Sequence, residues 1–164
     1  MLTAVSLSAL ILAMFFLRYK LPVIAEKVEE RKSARVPYRI LGGRNISDFF
    51  KDNQLPYVLD IRNDAQIRLC GLKHSGSTVI MYIPFDPKDE AAFRKHVSAD
   101  SRMLTVHKEK RAFLVMCGSG TRSARACAVL VEGGFRPVHL YDGLDRVPEK
   151  FIRYSRDVVS PPKE

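Results

Sequence analysis

Phe113-Leu114-Val115-Met116-Cys117-Gly118-Ser119-Gly120-Thr121-Arg122-Ser123-Ala124-Arg125 is the stretch whose reading decides the fold. Four apolar residues in a row read as a buried strand that delivers a cysteine to its carboxyl end. Two glycines then let the chain curl with its N–H groups turned inward, as an anion-binding nest. A helix expected to begin near Ser123 adds its positive end, and Arg122 adds a full charge. A sulfur at the centre of such a ring has its thiolate stabilised, and the same ring accepts a persulfide anion or an oxyanion. The hydroxyls of Ser119, Thr121 and Ser123 offer further donors. The plainer alternative is a small buried cysteine before an ordinary strand-to-helix turn.

Outward from this loop, three more short apolar runs read as strands: Tyr57–Ile61, Thr78–Ile83 and Val138–Tyr141. Runs apolar on both faces indicate a parallel sheet covered by helices. Between them Ser47–Lys51, Asp89–Val97 and Ser123–Glu132 read as helical, the last stopped by Gly133-Gly134. The fold class is therefore α/β, an open and mostly parallel sheet flanked by helices. Sites in such folds lie outside the carboxyl ends of the strands, which directs attention to Asp60, to Pro84-Phe85-Asp86 and above all to Cys117.

This constellation resembles the rhodanese-like domain family over roughly Tyr38 to Val147. Cys117, Arg122 and Ser123 match the family's active-site loop, and Val58-Leu59-Asp60-Ile61-Arg62 matches its upstream Asp-x-Arg signature. Gly134-Phe135 before a strand and Tyr141-Asp142-Gly143-Leu144 resemble its closing strand and turn. The resemblance implies a sulfurtransferase. Cys117 would take a sulfane sulfur from thiosulfate or a persulfide and pass it to cyanide or a thiol, such as glutathione or a thioredoxin-like protein. Gly118, Ser119, Gly120, Thr121, Arg122 and Ser123 would bind substrate, Asp60 and Arg62 would form a structural pair near the site, and no cofactor is implied. A catalytically weak binding or scaffold domain is the alternative. Tyrosine phosphatases and arsenate reductases place five residues between Cys and Arg, whereas four stand here, so their chemistry is the weaker reading. The sequence departs from the family at Gln66, where an acidic residue is usual, at the separated Gly71 and His74, in having no Trp, and in the long Pro84–Val106 connection.

The 164 residues carry 27 Lys and Arg against 18 Asp and Glu, a net charge of +9 that favours anionic partners. Three cysteines are too few for a disulfide framework. Cys70 and Cys127 are candidate resolving thiols, with core packing the preferred reading of Cys127. His74 is read as a structural histidine. His96, His107 and His139 show no ligand spacing, so no metal site is expected, and no motif indicates nucleic acid.

Leu2 to Leu17 has thirteen apolar residues of sixteen and no charge, and Arg18 and Lys20 close it. As a helix it spans about 24 Å, short of a bilayer core of roughly 30 Å, although Leu21–Ala25 can extend it. The reading taken is a membrane anchor at residues 1–20, single-pass, with the catalytic domain in the cytoplasm by the positive-inside rule. A cleaved signal peptide with export and a partner-packing helix are the alternatives. Residues 18 to 44 hold eight cations against three Glu, suited to anionic lipid. The expected layout is thus a basic spacer at 21–37, a domain at 38–155 and a tail at 156–164.

Overall fold

In this computed structural model the described residues from Pro37 onward form one compact unit. The structure describes residues 36–52, 56–73 and 77–154. The expected anchor at 1–20, most of the basic spacer, His74 and the tail lie outside the described residues. Among the described residues no helix is long and apolar enough to cross a membrane.

Five strands form a parallel sheet: β1 (Arg39–Leu41), β2 (Tyr57–Asp60), β4 (Val79–Tyr82), β5 (Ala112–Met116) and β6 (Arg136–Leu140). Their order is β1-β6-β5-β2-β4. β3 (Cys70–Leu72) and β7 (Ile152–Tyr154) pair antiparallel as a separate ribbon. Among the described residues the α-helices between the strands are α1 (Ile46–Asp52), α2 (Asp64–Leu69), α3 (Glu90–Ala99), α4 (Ser101–Lys108) and α5 (Thr121–Glu132).

The two-residue period of the strands sorts the core into two layers. Tyr57, Leu59, Phe113 and Val115 pack with Phe93, Val97, Met103, Val106 and Leu130 from α3, α4 and α5. Val58, Leu114, Met116, Val138 and Leu140 pack on the other face with Ile46 and Phe49 of α1 and with Leu72 and Ile152 of the ribbon. Cys117 continues the first series. Its sulfur therefore emerges on the α5 side, at the carboxyl end of a central strand.

Several boundaries differ from the sequence reading. β6 begins at Arg136, before the expected Val138, and contains Pro137. A proline without an N–H is tolerated because β1 begins pairing only at Val138, so at Pro137 the strand is paired on the β5 side alone. The Pro84–Val106 connection holds most of two helices, separated at Asp100, whose extended backbone ends α3 and whose carboxylate accepts from Arg102 N and Met103 N to start α4.

Candidate functional site

α5 starts at Thr121, two residues before the expected Ser123, because Gly120 takes a left-handed conformation at φ +87° and turns the chain into the helix at once. Thr121, Arg122 and Ser123 thus form the first turn, where N–H groups have no carbonyl one turn back. The Gly120 N–H donates to Cys117 Sγ at 3.2 Å. Ser123 Oγ lies 3.5 Å from the same sulfur, and its hydroxyl donates to Gly120 O at 3.0 Å. With that proton committed, Ser123 Oγ is free to accept from the Cys117 thiol.

The loop peptides are oriented by the turn beneath them. Leu144 N donates to Cys117 O at 3.0 Å and Asp145 N to Gly118 O at 3.2 Å. Both peptides are trans, so the N–H groups of Gly118 and Ser119 point the opposite way, out of the turn. The approach is so close that a Cβ at Gly143 would sit 2.1 Å from Gly118 O. A Cβ at Gly118, by contrast, meets nothing within 4 Å, so the space beside it is open.

Gly120 O is held by three donors: Ser123, Ala124 N at 3.2 Å and His139 Nε2 at 2.9 Å. The acceptor being a carbonyl, the proton of the neutral imidazole resides on Nε2. His139 is buried on β6, edge-on to Tyr38 and Tyr141. Burial depresses its pKa below the ordinary histidine value, against the opposing pull of Gly120 O and Asp142. Sequence spacing gave no sign of this role. The usable signal was an imidazole in the middle of an apolar strand, which must find a partner.

Asp60 and Arg62 form a fully buried ion pair, with Arg62 Nη2 2.7 Å from Asp60 Oδ2 and Nε 2.9 Å from Oδ1. The guanidinium also donates to Cys70 O at 2.8 Å and to Gln66 O at 3.3 Å. These bonds tie the end of β2 to α2 and the ribbon. The hydrogen-bond partners of the Cys117 sulfur are Gly120 and Ser123, not this pair. Arg122 instead reaches Gln66, donating from Nη2 to Oε1 at 2.7 Å. Gln66 was visible in the sequence only as a departure from an acidic position, not as the partner of Arg122.

The remaining candidates separate from the sulfur. Ser119 and Thr121 are exposed, their hydroxyls 3.5 Å from each other. Arg125 pairs with Glu90 on α3. Cys127 is fully buried in the core, and that burial, reinforced by Cys117 nearby, pushes its thiol far up. A group so reluctant to ionise is a poor resolving nucleophile. Cys70 is half-buried, with Arg62 Nη1 3.5 Å from its sulfur. Among the described residues no cluster of His, Cys, Asp or Glu is arranged to hold a metal ion. Cys117 itself is 1% exposed.

No family model matches the chain, and no curated protein does. Solved structures do. A reduced Bacillus anthracis protein named CoADR-RHD matches at a TM-score of 0.51 and 15% identity, over 71% of this chain and 18% of that one. A rhodanese-like domain protein from Staphylococcus aureus matches at a TM-score of 0.49 and 13% identity, over 71% of this chain and 97% of its own. A rhodanese-related protein from Thermoplasma volcanium matches at 0.43 and 19%, over 66% and 88%. At these identities the likeness is one of fold, and the chain is similar in fold to rhodanese-like domain proteins.

Proposed function

We propose that this domain transfers sulfane sulfur through Cys117. The observation that carries the proposal is the Gly120 N–H aimed at Cys117 Sγ from the start of α5. The Gly118 and Ser119 amides are turned out of the supporting turn, which leaves them available to a bound anion. In the first step the Cys117 thiolate attacks the outer sulfur of thiosulfate. A Cys117 Sγ–S bond forms, the donor S–S bond breaks, and sulfite leaves with the electron pair. The terminal persulfide anion rests against the loop amides. A thiol or cyanide then attacks the outer sulfur, the Cys117 S–S bond breaks, and Cys117 returns as thiolate. No outside oxidant is needed. As the sulfur ionises, the Ser123 hydroxyl can turn from Gly120 O to the sulfur, because Gly120 O keeps its bonds to His139 and Ala124.

A second reading has its own observation. Cys117 is almost completely covered and belongs to the packed core, as a non-catalytic binding or scaffold domain would have it. In either case the apolar stretch Leu2–Leu17 and the basic run behind it support placement at a membrane.

One experiment separates the two readings. Purified full-length protein is treated with thiosulfate, or with glutathione persulfide, and mapped by mass spectrometry. Sulfur transfer requires Cys117 to gain one sulfur, to lose it on addition of cyanide, and to gain nothing as Cys117→Ser. Absence of that sulfur with both donors overturns the proposal in favour of the scaffold. Turnover of an aryl phosphate abolished by Cys117→Ser would instead reinstate a phosphatase.

A further inference from the structure

Gln66 meets Arg122 with a neutral oxygen. Arginine has no acceptor, so the amide presents Oε1 and not its NH2 group, and the contact is short at 2.7 Å. Two other arginines near the site are matched by carboxylates, Arg62 by Asp60 and Arg125 by Glu90. Arg122 forms no ion pair among the described residues. Asp142 and Asp145 lie on the turn beneath the loop, where Asp145 contributes its backbone N–H to Gly118 O. Neither carboxylate reaches Arg122. The Gln66 backbone is itself fixed, since its carbonyl accepts from Arg62 and its N–H donates to the Asn63 side chain. The guanidinium of Arg122 is thus held across the carboxyl ends of β5 and β2 by a rigidly mounted partner that leaves its charge unbalanced.

We propose that Gln66 is the residue that sets the charge selectivity of the Cys117 site, by positioning Arg122 without neutralising it, so that the site favours small dianionic ligands over neutral ones. The inference rests on the reading of Cys117 as the reacting group only for its consequence in sulfur transfer. The binding preference stands on the geometry of Gln66 and Arg122. A carboxylate at position 66 would keep the contact and close the ion pair, and the site would lose a full positive charge in its half-buried surroundings. An aliphatic side chain there would lose the contact and leave the charge.

The test uses full-length protein carrying Cys117→Ser, so that no sulfur moves, with inorganic thiosulfate as the probe in titration calorimetry at fixed ionic strength. Thiosulfate is expected to bind, with affinity falling on the order of tenfold on Gln66→Glu and distinctly less on Gln66→Leu. Thermal unfolding of each variant establishes that it is folded. Equal losses in the two variants would reduce Gln66 to a hydrogen-bonding prop and overturn the proposal. So would undiminished binding in Gln66→Glu, or no binding in the parent. If wild-type Cys117 takes sulfur from glutathione persulfide while thiosulfate does not bind, sulfur transfer stands and the charge selectivity falls. If thiosulfate binds as expected but Cys117 never gains sulfur, the reverse holds.

Discussion

Gly120, like Gly143 in the turn beneath it, meets two constraints at once. Its φ of +87° turns the loop into α5, and a Cβ there would lie 1.6 Å from Tyr141 O. Gly120→Ala should therefore cost more than about 3 kcal/mol, through backbone strain and a backbone clash that no rotamer relieves. Gly118→Ala faces open space and should stay within about 0.5 kcal/mol of the parent. Urea unfolding of the two variants checks the contrast, and equal costs would refute the loop geometry. At this scale the sequence was informative where the candidate site is built from consecutive residues. Cys117, the glycines and Arg122 were legible because strand, loop and helix follow one another within a dozen positions. Gln66 and His139 were not, because each acts on the loop from elsewhere in the chain, 56 residues from Arg122 and 19 from Gly120.

The strand Ala112–Met116 lies where its apolar run placed it. β1, β3 and β7 escaped notice because three residues each show no period. α2 buries no side chain, so it carries no apolar stripe to read. Its role becomes clear only in company. Arg62 is bonded to the carbonyls of Gln66 at the middle of α2 and Cys70 at the start of β3, and β3 is held in turn by β7 through the pairs Cys70 with Tyr154 and Leu72 with Ile152. The buried Asp60–Arg62 pair depends on those extra bonds, since desolvation offsets much of the attraction between its charges. Ile152 anchors the ribbon in the core. Ile152→Ala should cost about 2–3 kcal/mol and speed the labelling of Cys70 by a thiol reagent. Chemical denaturation and labelling kinetics read both effects. A stability loss with unchanged Cys70 labelling would show that the ribbon does not protect that thiol.

Across the whole molecule, stability should depend on pH through His139. Its folded pKa is depressed, chiefly by burial, while the unfolded chain titrates near the usual value of about 6.5. Below that value the unfolded state takes up the proton first, so this contribution is intact above about pH 6.5 and is lost as pH falls toward the folded pKa. Unfolding free energy measured from about pH 7 down to about 5.5 should decline in the parent, by no more than ~1.4 kcal/mol per pH unit. The decline should flatten in His139→Gln, whose amide can still donate to Gly120 O. A parallel decline in the variant would assign the pH dependence to other groups.

The parallel sheet also fixes an order of completion. β1 opens the described domain, yet its partner β6 lies about a hundred residues later, at Arg136–Leu140. The backbone donors that orient the Cys117 peptides are Leu144 and Asp145. During synthesis from the amino terminus, Cys117 therefore emerges from the ribosome before the groups that shape its surroundings. Until Leu144 and Asp145 have also emerged and folded, this thiol stands on an unfinished scaffold. Only when β6 and the turn after it have closed does Cys117 reach the 1% exposure it has in the folded domain.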